Sequence, residues 1–192
     1  GFWSEADRTQ EVVEPGYYSV PLTRYNILAE MTATERGGLH RYTFPASDEA
    51  AIILDLVHGG CFDRPEELYA EAVGDCRVVG RRHSWGWSNN QKVYFVIEFS
   101  KPFDKFEPIG ENGFYYRIHF KTEEGEQIGV KVALSSTSPA GAELNFSTEV
   151  KDKDFDTVRK ETRAKWQNEL RKIRIYGATE EQNEIFYTGM YH

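Results

Sequence analysis

Cysteine is scarce in this 192-residue sequence: Cys61 and Cys76 are too few for a disulfide framework or a four-ligand metal cage. Long apolar runs are also missing. The best candidate, residues 50–57, has the length of a strand rather than of a membrane span, and it contains Asp55. The first ten residues lack the basic start and apolar centre of a signal peptide. We therefore expect neither a membrane-spanning segment nor a cysteine-based metal site.

Positive charge is in short supply as well. The sequence has 23 Lys and Arg against 31 Asp and Glu, which gives a net charge of −8. Proteins that bind nucleic acids or anionic membranes need clustered basic residues to neutralise phosphates. Here the basic residues are scattered, so we expect no nucleic-acid partner and no membrane partner.

Recognisable catalytic motifs are absent too. The sequence has no G-x-S-x-G nucleophile elbow, no H-E-x-x-H metal motif and no phosphate-binding loop. Acidic residues are so numerous that no pair can be singled out for acid–base chemistry. We therefore predict no catalytic residue and no metal ligand in this chain.

Residues 27–45, ILAEMTATERGGLHRYTFP, carry the clearest structural pattern. Apolar and polar residues alternate in both halves, as in strands with one buried face. Gly37 and Gly38 stand between the halves and can adopt the positive φ angles that tight reversals use. Pro45 has no N–H to donate and ends the pairing. The segment predicts a β-hairpin that needs a second sheet to cover its apolar face.

The remaining strand-like segments fit the same interpretation. Short apolar or alternating runs bounded by Gly, Pro or Asp recur at the spacing of a sandwich. They are residues 17–22, 51–57, 76–80, 91–100, 114–121 and 127–135. Residues 65–72 predict a short helix or a loop. The fold class is therefore mainly β, an antiparallel β-sandwich.

A change to helical spacing follows. Ser138 before Pro139, Asp154, and the capping box that starts at Thr179 are helix-start signals. They predict helices over residues 139–147, 155–173 and 180–190. We divide the chain into a β-sandwich domain, 1–137, and a helical linker, 138–192. We expect Phe155, Trp166 and Leu170 to lie on a sheet, and part of the last helix to be bare.

Residues 81–90, RRHSWGWSNN, form the one predicted loop with chemical character. Trp85 and Trp87 could present a flat apolar platform to a sugar, with His83 beside them as a hydrogen-bonding group. Alternatively, the tryptophans pack at the end of the sandwich or on the helices, with at least one of them buried. Of the two interpretations we expect packing for one of the tryptophans, which should then be buried.

Several segments resemble one known family. They are PGYYSV, YNILAEMTATERGGLHRYTFP, QKVYFVIEFSKPF, VKVALSSTSPAGAELN and the closing WQNELRKI…EEQNEIFYTGMYH. Together they are similar to the N-terminal part of the calcium-dependent α-mannosidases of glycoside hydrolase family 92. The resemblance extends from about residue 15 to residue 192.

This resemblance implies a β-sandwich followed by helices that lead to an (α/α)6 barrel. The barrel, which would carry the acid, the base and the calcium ligands, is missing from this sequence. The parent protein would be an exo-acting, inverting α-mannosidase, periplasmic or extracellular, that acts on α-1,2-linked mannose of N-glycans or mannan. The chain itself would be non-catalytic and bind no calcium, and its partners would be the barrel and mannose-containing glycans. Self-association through the C-terminal helix is a further expectation, and a free-standing carbohydrate-binding module that uses Trp85 and Trp87 is the alternative.

Overall fold

The computed structural model describes residues 3–59, 62–110 and 114–192. Cys61 lies outside these ranges, and Cys76 is a free thiol. The described residues contain eleven strands: β1 Val12–Glu14, β2 Tyr17–Leu22, β3 Ile27–Ala33, β4 Gly37–Phe44, β5 Ser47–Asp55, β6 Arg64–Ala72, β7 Arg77–Trp85, β8 Gln91–Phe99, β9 Lys105–Ile109, β10 Tyr115–Thr122 and β11 Glu126–Ser135.

The strands form two sheets whose recorded pairings are all antiparallel. The larger sheet has the order β1-β2-β3-β4-β11-β8-β7-β6, and the smaller has the order β5-β10-β9. The predicted antiparallel sandwich is confirmed. Strand β11 lies at the centre of the large sheet and joins the meander β1–β4 to the meander β6–β8.

The large sheet is buried on both faces over its central strands. Its inner face and the small sheet share a core that includes Val78, Phe95 and Ile128 from the first and Ile118 and Phe120 from the second. Its outer face is covered by the helices. That second core contains Leu39, Val96 and Ala133 from the sheet, with Ala142, Phe146, Val150 and Val158 from the helical part. Alternate residues of each central strand therefore enter different cores.

The predicted hairpin is confirmed as β3 paired with β4, but the role assigned to its glycines is wrong. The reversal is made by residues 34–36, and the Thr34 N–H donates to the Gly37 carbonyl at 2.9 Å. Gly37 and Gly38 belong to β4, and neither has a positive φ. Gly37 has a different reason to be glycine: a Cβ there would lie 2.6 Å from Val150 Cγ1.

The predicted helices are confirmed, with small shifts of their ends. They are α1 Pro139–Asn145, a π-helical segment Phe146–Val150, α2 Phe155–Leu170 and α3 Glu180–Tyr191. Each predicted cap is formed. The side chains of Ser138 and Asp154 accept backbone N–H groups of the first turn, and Thr179 forms the capping box with Gln182. Among the described residues, no helix has both the length and the apolar character needed to cross a membrane.

Residues 65–72 are neither helix nor loop. They belong to β6, which pairs along its length with β7. The segment PEELYAEA favours a helix by composition, but pairing with β7 outweighs that local preference. Strand β9 was also not predicted, because Pro108 interrupts its pattern.

The last two helices differ in how they are held. Phe155 of α2 packs on the outer-face core, and Thr162 donates its hydroxyl to the Ala33 carbonyl at 2.6 Å. The expected sheet contact is therefore present for Phe155. Trp166 packs on Tyr191 of α3, with ring centroids 4.6 Å apart, and its contact with the sheet stays a prediction. Helix α3 has no buried residue, as its mixed apolar surface predicted.

Candidate functional site

One end of the sandwich carries the exposed aromatic side chains of Phe62, Trp85 and Trp87. Pairing of Ala33 with Gly38, of Ser135 with Tyr94 and of Ser84 with Gln91 places the turns 34–36 and 86–90 at the same end of the large sheet. Pairing of Arg64 with Trp85 brings the start of β6 to that end as well. We call the turns 34–36 and 86–90, with residues 56–59 and 62–63, the loop end.

Both predicted tryptophans lie at the loop end, and both are exposed. Trp85, the last residue of β7, is 46% exposed, and Trp87 in the following turn is 94% exposed. The expectation that at least one is buried is wrong. The predicted loop is also shorter than residues 81–90, since residues 81–85 are paired in β7. Trp87 lies in the turn that follows the last β7–β8 pair, Ser84 with Gln91.

Phe62 is a third exposed aromatic residue at this end, and its side chain is fully accessible. The backbone around it lies against the tryptophan turn: a Cβ at Gly86 would be 2.6 Å from the Phe62 carbonyl oxygen and 2.8 Å from Asp63 Cα. Only glycine permits this approach. The two loops therefore form one continuous surface.

A buried ion pair between Arg82 and Asp63 holds these loops together. Arg82 Nη1 lies 2.5 Å from Asp63 Oδ2, and Nη2 lies 3.0 Å from Oδ1. The guanidinium therefore donates hydrogen bonds to both carboxylate oxygens. Arg82 also donates to the carbonyls of Leu56 and Val57. The hydrogen bonds that Asp63 accepts from Arg82, and then that from Ser84, lower the pKa of Asp63 to about 2. The carboxylate is therefore ionised, and Leu56, Val57 and Asp63 are fixed on the inner face of β7.

His83 points to the opposite face of β7 from Arg82, because successive residues of a strand alternate. Its Nδ1 lies 2.9 Å from Glu67 Oε2, and its ring meets Tyr94 edge to face at 5.4 Å. Its Nε2 is buried without a hydrogen-bond partner. Trp85, two residues on, projects from the same face. The structure therefore places His83 with Trp85, while Trp87 lies beyond the strand; sugar binding by these three residues stays a prediction.

A calcium site does not fit the described residues. No group of three or more His, Cys, Asp or Glu side chains among them could hold a metal ion. Asp55 Oδ2 and His58 Nδ1 lie 2.8 Å apart, and no third such side chain among the described residues joins them in a metal-binding group. We therefore derive no chemical step through calcium for this chain.

Sequence reasoning missed the Arg82–Asp63 pair and Phe62. Arg82 stands at an inward-facing position of β7, between the inward-facing Gly80 and Ser84, which is an unusual place for a charge. That position was the available signal for a buried partner. Nothing in the sequence pointed to Asp63 as this partner, because loop residues carry no periodic pattern.

Comparison with protein families gives two adjacent matches. Residues 1–135 match the glycosyl hydrolase family 92 N-terminal domain. Residues 141–192, which contain the C-terminal helices, match the glycosyl hydrolase family 92 catalytic domain. A search of curated protein sequences finds no significant match. The division of the chain at residue 137 stays a prediction, although the two matches meet close to it.

Solved structures are similar over nearly the whole chain. The family GH92 α-mannosidase BT3965 from Bacteroides thetaiotaomicron is 30% identical with a TM-score of 0.90; the match covers 98% of this chain and 28% of that protein. The family GH92 inverting mannosidase BT2199 from the same species is 25% identical with a TM-score of 0.84, over 98% of this chain and 26% of that one. The chain thus spans less than a third of these relatives. Its sequence and its fold agree on one assignment: the chain belongs to glycosyl hydrolase family 92.

Proposed function

We propose that residues 1–137 are a non-catalytic domain that packs on the catalytic domain of an α-mannosidase through the loop end and helps to complete its active site. The parent enzyme removes terminal mannose with inversion of configuration, and α-1,2-linked mannose of N-glycans or mannan is its substrate. The relatives described as an α-mannosidase and as an inverting mannosidase support this assignment.

The observation that carries the proposal is the common position of the loop end and of the catalytic-domain helices. Helix α2 runs towards the turn 34–36, where Lys165 reaches Glu35 at 3.4 Å. Helix α3 then packs on Trp166, still nearer the C-terminus of α2. The helices that match the catalytic domain therefore extend towards the end that displays Trp87 and Phe62. Exposed aromatic side chains on loops that are held rigidly by a buried ion pair suit an interdomain or ligand surface.

Two further parts of the proposal rest on the family resemblance. Calcium would be held by the remainder of the parent protein, because the described residues of this chain do not fit a calcium site. A polymer such as mannan, or a glycan on another protein, is met outside the cytoplasm, and we therefore propose a periplasmic or extracellular location.

The test is hydrolysis of α-1,2-mannobiose by the polypeptide encoded by the complete reading frame, with NMR detection of the first anomer released. We expect β-mannose as the first product and no turnover by the 192-residue chain alone, even with calcium. Trp87→Ala should lower kcat/KM at least about ten-fold, which corresponds to about 1.4 kcal/mol. Trp3→Ala is the matched control, since Trp3 is 62% exposed but contacts Arg24 near the opposite end of the sheet. Release of α-mannose, or equal effects of the two substitutions, would contradict the proposal.

A carbohydrate-binding module is the second candidate, because the exposure of both Trp85 and Trp87 meets its main requirement. In that case the isolated chain should bind mannose oligosaccharides, and the binding should change its tryptophan fluorescence. Loss of this signal in Trp87→Ala but not in Trp3→Ala would favour the module. No binding by the isolated chain, together with loss of turnover in the full-length variant, would favour the interdomain role.

A further inference from the structure

A cleft of about 960 Å³ lies between the two sheets, on the side of the sandwich where β5 is located. One wall consists of consecutive residues of β5, from Glu49 to Ile53. The facing wall is apolar and comes from the large sheet, with Ile27, Tyr42 and Phe44 among its residues. The cleft is thus bordered by the edge of one sheet and by the inner face of the other.

The edge of β5 that borders the cleft has no strand partner among the described residues. In the order β5-β10-β9, β5 pairs with β10 on one side only. An unpaired edge presents a row of backbone N–H and C=O groups, and this row is a template for another strand. The cleft therefore offers hydrogen-bonding groups along one side and apolar side chains along the other.

The other three sheet edges carry features that discourage further pairing, whereas β5 carries charges only towards its ends, at Asp48, Glu49 and Asp55. Strand β1 has only three residues. Strand β6 carries Pro65 and several glutamates, and the five-residue β9 carries Lys105 and Pro108. Short length, charge and proline are the usual protections of an edge. By contrast, residues 50–54 of β5 read AAIIL, without charge or proline.

We propose that this cleft holds one further β-strand, which pairs with β5 and is supplied by a part of the same polypeptide outside residues 1–192. Sheets in a sandwich pack about 10 Å apart, so a strand added to β5 would cover the inner face of β3 and β4. Its inward side chains would be apolar, to match Ile27, Tyr42 and Phe44. The solved relatives are more than three times as long as this chain, which provides polypeptide for the strand.

A second copy of the chain suits the cleft less well. The β5 edge of a second copy would bring its own large sheet into the space that the large sheet of the first copy already fills. A single strand needs only the width of the cleft. A tethered strand also has a high effective concentration, which favours intramolecular pairing.

Hydrogen exchange tests the proposal directly. The amides of β5 would be compared between the 192-residue chain and the polypeptide encoded by the complete reading frame, each at two protein concentrations. About half of the β5 amides point away from β10, and these should exchange at least about ten-fold more slowly in the longer polypeptide. Amides of β9, the other edge of the same sheet, are the control and should be unchanged.

Two results would overturn the proposal. The first is equally fast exchange of the β5 amides in both polypeptides, which would show that no strand is added. The second is protection in the 192-residue chain that grows with protein concentration, which would assign the edge to a second copy. The test is independent of mannosidase activity, because it reads only backbone protection.

Discussion

Gly37 allows the helical part to pack closely on the sheet, because its side chain is a single hydrogen atom. A Cβ at this position would lie 2.6 Å from Val150 Cγ1 and 3.1 Å from the Val132 carbonyl oxygen. We expect Gly37→Ala to lower the free energy of unfolding by about 1–3 kcal/mol, the usual cost of overpacking. Gly38→Ala is the control, because the nearest atom to its Cβ would be His40 Nε2 at 3.8 Å. Equal urea midpoints for the two variants would show that the close approach is not tight.

The Arg82–Asp63 pair gives a second prediction at the residue scale. Both side chains are largely buried, with 14% and 3% exposure. Asp63→Asn removes the charged carboxylate that binds two guanidinium nitrogens of Arg82, and we expect a loss of about 3–5 kcal/mol in urea denaturation. Glu161→Gln, which breaks the exposed Lys153–Glu161 pair, should change stability by less than about 1 kcal/mol. A small effect of Asp63→Asn would mean that water replaces the carboxylate.

The same carboxylate makes stability depend on pH. Its pKa is about 2 in the folded chain, because Arg82 stabilises the ionised form, and close to about 3.9 in an unfolded chain. A lowered folded-state pKa contributes stability that is complete above the unfolded value and is lost as the pH falls from about 4 to 2. We expect the unfolding free energy of the wild type to fall more steeply over that window than that of Asp63→Asn. Parallel curves from acid titrations of the two proteins would contradict this.

At the scale of elements, helices and strands could be predicted from the sequence where nearby residues determine their structure. Ser138, Asp154 and Thr179 cap their own first turns, so their helices could be predicted without knowing the fold. Strand β6 could not be predicted, because its helix-like composition yields to pairing with β7. The π-helical segment has no local signal either. Its Glu149 accepts hydrogen bonds from Thr34 and from the backbone of Arg36, which are remote in sequence.

Within the candidate site, the sequence indicated which residues to consider, but it did not indicate which residues surround them. The tryptophans stood out by composition, and their place at the loop end follows from the strand register. Their exposure depends on how far the turn 86–90 projects beyond the core. The burial of Arg82 could not be predicted, because its partner Asp63 lies in a different segment of the chain.

Helix α3 should be the least stable element of the described chain. Its recorded ring contact with α2 joins Trp166 to Tyr191, and none of its residues is buried. We expect Trp166→Ala to speed amide exchange in α3 at least about ten-fold while the sandwich amides keep their rates, since elements with few buried contacts open independently. Tyr176→Ala, which removes a side chain that is 86% exposed, should leave α3 unchanged. If the whole chain loosened together, α3 would instead be part of the cooperative unit.

At the scale of the whole molecule, the C-terminal helices leave apolar side chains uncovered. Ile173, Tyr176 and Ile185 are each more than half exposed. Exposed apolar surface of this kind drives association. We expect the 192-residue chain to self-associate, and sedimentation velocity should show Ile185→Glu shifting it towards monomer. Thr188→Glu, a change on the same helix at an exposed polar position, is the control. If the 192-residue chain sedimented as a monomer at all concentrations, the prediction of self-association would be wrong.

The central place of β11 also sets the order in which the molecule can form during translation. Strand β4 pairs with β3, but it finds its second partner only when β11 emerges, because Phe44 pairs with Glu126 and Gly37 with Ala133. Strand β8 waits for the same partner on its other side. During translation the meanders β1–β4 and β6–β8 are therefore separate, with β4 and β8 each unpaired on one side, until β11 is synthesised and pairs with both. Pairings so distant in sequence are slow to form. A pause in synthesis before residue 126 would leave both of these edges open, and open strand edges favour aggregation.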